Sequence, residues 1–454
     1  MLAPGRLLSW GSILAVGATL GSPAYALQPL EQFVSNAHTQ NVSESASRAN
    51  LQVAQAQADV TLGRQLPGLS ARGAYTFNQY AQELPAGSFG QIPAPAGSPT
   101  GTPPTLLPAF DLTITPQNQL DGTATIQVPL VDLASFERIN AARTNADAAG
   151  HQLDNVKLLV DSQVVQNYYQ LVANMAVVTS AKRALEVAKT SQKQTRDRVQ
   201  AGSAPSLDGD RADAEVERQI QLLAASQLQV SLAAQQLYTS SGIYPDLAAG
   251  EPQLQDDLHP EPPLDQFKPV EGGTPAQQAA ASGAEASRQQ SRAARLQLVP
   301  SLAGNGTEHV SNYAGFSGHD TSFQAVVALT WALDYSTIAN MRLSDGQLAL
   351  AEANQVGVDL QTRDAIHNAW AAIDAAIERA KSARIQVQVT RHAQEMAQDR
   401  YNAGAATQLD VTTAERDAFT ADVARIQADA DLINARIQLR LATGRPFAAP
   451  GATP

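Results

Sequence analysis

Two stretches decide how this chain folds: Arg198-Val-Gln-Ala-Gly202-Ser-Ala-Pro-Ser-Leu207-Asp208 and Arg400-Tyr-Asn-Ala-Gly404-Ala-Ala-Thr-Gln-Leu409-Asp410. They align without a gap at an offset of 202, with arginine, glycine, leucine and aspartate in matching places. In each, a glycine offers the positive φ that ends a helix, and the residues after it can open another. Thr407 followed three residues later by Asp410 has the pattern of a capping box, and helix capping is the plain structural role of both Asp208 and Asp410. The same offset carries Asp132 to Asp334, Ala181 to Ala383, Lys182 to Arg384, Ala233 to Ala435 and Gly242 to Gly444. One offset kept over so long a span marks a duplicated architecture. Upstream, Leu66-Pro67 and Val299-Pro300 align at 233 instead, so the first half holds 31 extra residues between Pro67 and Asp132.

Working outward from the tips, residues Leu133 to Ala201 and Tyr335 to Ala403 contain no proline. At about 1.5 Å per residue each stretch makes a helix of roughly 100 Å, deeper than any compact domain. On the returning helix Phe419, Val423, Ile426, Ala430, Ile433, Ile437 and Leu441 recur at threes and fours, the seam of a coiled coil. Residues 28 to 65 and Gln277 to Leu298 are also helical in composition. Between these helices, alternation at period two predicts strands at about 68–78, 122–131, 301–310 and 322–333. About 10 residues is the length that crosses a bilayer at a tilt. Residues 79 to 121, dense in proline and glycine, read as a long exposed loop, with 311 to 321 as its short counterpart.

The chain has 454 residues, a formal charge of -12 and no cysteine. An acidic chain without a basic stripe argues against nucleic-acid binding. The lack of cysteine excludes disulfides, thiol catalysis and lipid attachment to an N-terminal cysteine. Arg6, the apolar run Leu7 to Leu20 and the small residues up to Ala26 read as a signal peptide over 1–26. No later stretch has the apolar length of a spanning helix, so a membrane could be entered only by a closed β-barrel. The proline-rich acidic segment 243–273 reads as a linker between a first repeat, 27–242, and a second, 274–446, with a flexible tail at 447–454. No nucleophile elbow, phosphate-binding loop or metalloprotease motif occurs. His367 and His392 lack partners at ligand spacing, and His309 and His319-Asp320, near a strand end and a loop, leave a metal site open but unsupported, so neither an enzyme nor a cofactor is expected.

The fold class expected is mainly α with a small β part. The order signal, helix, strand pair, long helical hairpin, linker, then all again, resembles the outer-membrane efflux proteins of the TolC-like family. Leu66-Pro67-Gly-Leu69, Pro129-Leu-Val-Asp132, Leu329-Thr-Trp331-Ala-Leu333-Asp334 and the two tips carry the resemblance. It implies a homotrimer in the outer membrane of a Gram-negative bacterium, its protomers each giving four strands to a shared twelve-stranded barrel. It also implies a periplasmic α-barrel of helices whose tips dock on a periplasmic adaptor (membrane fusion protein) driven by an inner-membrane pump. By the same resemblance Asp410, Asp208 and Tyr401 are candidates for a periplasmic gate, a ring of aspartates being a cation-selective constriction. Arg198, Gly202, Ser203, Leu207, Arg400, Gly404, Ala405 and Leu409 are candidates for adaptor docking. Thr413 stands where a second aspartate of such a ring could lie, and Ala406 carries no charge where an arginine could latch neighbouring hairpins. Tyr75, Phe77, Phe323 and Trp331 are candidates for lipid-facing or girdle positions. The function implied is a passive exit duct for efflux or type I secretion, its cargo unspecified. The alternative is a non-membrane periplasmic coiled-coil scaffold or adaptor whose strands form soluble hairpins.

Overall fold

The computed structural model describes residues 27–92, 99, 103–106, 108, 111–247, 254, 256–315 and 318–445. The signal peptide expected at 1–26 and the flexible tail expected at 447–454 lie outside the described residues.

The first helical region is two helices, α1 (Leu30–Gln40) and α2 (Val42–Gly63). The break falls at Asn41, whose extended backbone and side-chain oxygen cap the N–H groups of Ser43 and Glu44. Asparagine is among the strongest N-caps, a local signal that the alanine-rich surroundings obscure. Strands β1 (Gly68–Phe77) and β6 (Asn118–Val131) follow, joined by β2 (Gln82–Leu84), β3 (Gln91–Ile92), β4 (Thr105–Leu106) and β5 (Leu112–Thr115). The pairs β2–β5 and β3–β4 make short antiparallel ribbons where a plain loop was expected, and β6 begins at Asn118 rather than near 122. After α3 (Leu133–Gln200) and α4 (Ser206–Ser241) come α5 (Pro275–Leu296), β7 (Ser301–Ser311), β8 (Thr321–Thr330), α6 (Tyr335–Asn402) and α7 (Gln408–Ala442). Strand β8 stops short of residue 333 because the chain then turns to place Asp334 as the cap of α6.

Helices α3 and α6 are both 68 residues long, and their starts and ends keep the 202-residue offset. They begin alike. Asp132 accepts the N–H of Ser135, and Asp334 accepts that of Thr337. This is the physical reason for an aspartate at equivalent places in both halves. No helix among the described residues is long and apolar enough to cross a membrane.

The four long strands form one antiparallel sheet in the order β1-β6-β7-β8. Its register pairs Leu69 with Ile126, Tyr75 with Leu120, Gly306 with Ala325 and Leu302 with Leu329. Paired residues share a face, so Leu69, Tyr75, Phe77, Ile126, Phe323 and Leu329 stand on one side. The other side carries Ser70, Arg72, Thr123, Thr307 and Gln324. In the single protomer β1 and β8 are exposed along nearly their whole length, and each has an outer edge that pairs with no described strand.

The helices pack lengthwise. Phe33, Val164, Leu171 and Leu237 bury a core where α1, α3 and α4 meet. Ile373, Ala380, Leu432 and Leu439 bury another between α6 and α7. Alanines such as Ala181, Ala234, Ala376 and Ala380 are nearly solvent-free at these seams and let helix axes approach closely. Residues 256–273 lie against α6 and α7. Leu264 and Phe267 pack on the second core, and Trp370 donates its indole N–H to the Pro262 carbonyl. Arg436 of α7 fastens this segment by reaching Asp256, Glu261 and the His259 carbonyl.

Candidate functional site: hairpin tips and the polar spine behind them

The two tips share one backbone solution. Gly202 has φ of 70° and Gly404 of 74°. Ser203 N–H then returns to the Arg198 carbonyl and Ala405 N–H to that of Arg400, closing the carbonyl ends of α3 and α6. The reopening differs. At α7, Thr407 and Asp410 form the reciprocal capping box, with Asp410 accepting both the N–H and the hydroxyl of Thr407 at 2.8 Å. Those hydrogen bonds hold the Asp410 carboxyl below the usual carboxylate range. At α4 the cap position is Pro205, which has no side-chain acceptor. Asp208 sits inside the first turn, 3.5 Å from Arg211, and caps nothing with its side chain.

Of the other tip candidates, Leu207 and Leu409 are about half exposed at equivalent places, apolar knobs pointing away from the protomer's own core. Arg400, Gly202, Ser203, Gly404 and Ala405 are exposed beside them. Tyr401 is 4% exposed and so is packed inside the protomer. The guanidinium of Arg198 lies 4.5 Å over its ring and donates to its carbonyl, while its hydroxyl meets Thr195 at 3.3 Å. Ala406 is half-buried, and the Thr413 hydroxyl is spent on the Leu409 carbonyl.

Behind the tips runs an arrangement that the apolar seam does not reveal. Gln408, Glu415, Asp422, Asp429 and Arg436 are all buried on α7, each seven residues from the next. Their partners change along the helix. Gln408 bonds Thr195 and Ser191 of α3. Asp422 accepts from Ser180 of α3 at 2.6 Å and from Arg391 of α6 at 3.1 Å. Asp429 accepts from Arg384 of α6, and Arg436 holds the linker. The signal was present as polar residues at a heptad position, a pattern that specifies register at a cost in stability. From the seam read in the sequence, Ile426, Ala430 and Leu441 are buried, while Phe419, Val423, Ile433 and Ile437 are half-buried.

Glu415 stands apart within this spine. Burial, then the nearby carboxylate of Glu215, pushes its carboxyl up to about 7. For Glu215, burial acts upward, but hydrogen bonds from Arg218, Arg416 and Gln219 outweigh it and hold the group below the ordinary range. Arg416 to Glu215, at 2.8 Å, is also the ionic tie between α7 and α4. Two buried carboxylates thus divide into one ionised and one that titrates near neutrality.

Asp256, Asp257 and His259 gather closely enough to suggest a metal, but Arg436 already fills the space between Asp256 and Glu261.

Paired tips, a buried polar spine and a four-stranded sheet whose outer edges pair with no described strand are the distinctive parts of this protomer. The model of the outer membrane efflux protein family matches residues 34–243 and 272–445. The chain belongs to the outer membrane efflux protein family. It is accordingly a non-enzymatic channel of the Gram-negative outer membrane, with its helices on the periplasmic side. No curated protein sequence matches it. Its fold is shared with solved channels. The CmeC outer membrane channel of Campylobacter jejuni is 16% identical, with a TM-score of 0.75 over 93% of this chain and 87% of that one. VceC of Vibrio cholerae is 19% identical, with a TM-score of 0.74 over 92% and 97%. The open state of the MtrE channel of Neisseria gonorrhoeae is 17% identical, with a TM-score of 0.70 over 94% and 92%.

Proposed function

We propose that three copies of this efflux protein close one twelve-stranded barrel and one periplasmic tunnel, through which cargo passes to the exterior without any bond being made or broken. The observation that carries this reading is the sheet. Four strands cannot close a barrel, and a sheet whose outer strands are exposed and whose edges pair with no described strand has no stable place as an isolated protomer in water. Its apolar face, with Tyr75, Phe77 and Phe323, suits lipid, and Trp331, whose indole N–H is tied to the Leu298 carbonyl, suits the periplasmic interface.

Energy must come from outside the chain, since no nucleotide-binding motif is present. We assign the docking of a periplasmic adaptor and its inner-membrane pump to the exposed tips, with Leu207 and Leu409 as the apolar anchors and Arg198, Gly202, Ser203, Arg400, Gly404 and Ala405 around them. We assign the periplasmic constriction to Asp410 and Asp208, with Tyr401 holding the tips from within. The test is the mass of the detergent-extracted protein by light scattering, with detergent subtracted. Three mature chains support the shared barrel. A soluble monomer that needs no detergent would overturn it and leave the periplasmic scaffold. Replacing both anchors, Leu207→Asp with Leu409→Asp, is expected to abolish efflux and adaptor cross-linking while the trimer persists.

A further inference from the structure

Behind the tips α3, α4, α6 and α7 of one protomer enclose a chamber of about 280 Å³. Ala184 and Val187 of α3 with Ala418 and Phe419 of α7 give it an apolar wall. Gln219 of α4 and Glu415 of α7 bring buried oxygens to it, the two residues being 1% and 8% exposed. The Gln219 amide nitrogen donates to Glu215 Oε1 at 2.8 Å, which settles which end of the amide is the oxygen. That oxygen is buried and has no hydrogen-bond partner among the described residues. Such an acceptor is costly until a donor reaches it. Of the other charged groups on the wall, Asp422 is already spent on Ser180 and Arg391, and Arg183 is exposed.

Through Val187, Arg391, Gln394 and Glu415 the chamber adjoins a wider cleft of about 740 Å³ between α3 and α6. This cleft adds Glu186, which is paired with Lys189, together with Glu395 and Asp399, and no cation besides Arg391 lines it. An acidic approach raises the local concentration of cations. The chamber behind it has apolar walls and an acceptor in want of a donor. We propose that this chamber binds a primary ammonium ion with a short aliphatic body, its N–H groups donating to Gln219 Oε1 and to the Glu415 carboxylate. Hydrogen bonds in which the donor carries the charge are the stronger kind. A ligand there touches all four helices, so occupancy fastens the two hairpins of a protomer together. The walls belong to one chain, and the site therefore stands apart from the trimeric duct reading.

The experiment is calorimetric titration of the full-length detergent-extracted protein with n-butylammonium chloride at about pH 8, where Glu415, pushed up to about 7, is ionised. Saturable binding is expected, about tenfold or more tighter than for butyltrimethylammonium, which has the charge and the alkyl chain but no N–H donor. Butyrate is expected not to bind. Gln219→Leu should erase the preference between the two cations. Ala184→Phe, which fills the chamber without removing a hydrogen-bonding side chain, should abolish binding of both. No binding to the wild type, equal affinity for the two cations, or a preference that survives Gln219→Leu overturns the site. If Gln219→Leu does not fold, Ala184→Phe decides, because undiminished binding there puts the ion elsewhere. A protein that proves to be a soluble monomer sinks the duct reading and not this one, since the same titration can be run on it.

Discussion

Arg198 stacks over the ring of Tyr401 and donates to that residue's carbonyl, so the last turn of α3 is fastened to the last turn of α6 within one protomer. The contact combines cation–π attraction with a charge-assisted hydrogen bond, together about 1–3 kcal/mol. Arg198→Ala is expected to loosen the tips and raise single-channel conductance in planar bilayers. Arg198→Lys should restore only part of the closure, because an ammonium lacks the planar stack. Wild-type conductance in Arg198→Ala would remove the pair from holding the tunnel end.

Glu415 makes the junction of α4 and α7 sensitive to pH. Its folded pKa is raised, so its contribution is most favourable below the unfolded value and is lost as pH rises toward about 7. Between roughly pH 4.5 and 7 the unfolded chain ionises this group while the folded one resists, at a cost on the order of 2–3 kcal/mol. Glu415→Gln is expected to raise the melting temperature at neutral pH and to flatten its dependence across that interval. An unchanged pH profile would show that water reaches the carboxyl.

Asp410 has the opposite sign. Hydrogen bonds from Thr407 lower its pKa, so its charge and its capping interaction persist at neutral pH and fade only as pH falls through that lowered value, below about pH 4. Asp410→Ala is expected to reduce cation preference or block by large cations in bilayers at neutral pH. Unchanged selectivity would confine Asp410 to its cap.

Arg436 is 8% exposed and meets two carboxylates of the linker. Removing one partner of a buried ionic cluster costs about 3–5 kcal/mol, because the remaining charges stay desolvated. Arg436→Ala should free residues 256–273, seen as faster limited proteolysis there while the sheet remains protected. Arg436→Met, which fills the space without charge, separates lost packing from lost pairing.

Most of the architecture was legible because it rests on periods. Alternation in Leu69 to Phe77 fixed which side chains share a face, and the proline-free stretches fixed two helices to within a residue or two at each end. Local chemistry was harder to see. Asn41 breaks a helix that composition alone would continue, and the ribbons β2–β5 and β3–β4 arise from pairing between residues too few to show alternation. At the tips the sequence offered Asp410 two roles, and the geometry displays the capping one. It places Tyr401 in the interior, which no residue pattern signalled. The spine from Gln408 to Arg436 was written in the sequence, but a search for apolar repeats passes over polar ones.

The equal lengths of α3 and α6 act as a ruler. Removing one heptad from α3 alone would shorten that side of its hairpin by about 10 Å, leaving its tip short of the tip of α6 and moving every α3 partner of the spine out of reach. Compensation would require the same deletion in α4, α6 and α7. Tunnel depth in this protein is therefore adjustable only in matched steps of seven residues, taken in both halves at once.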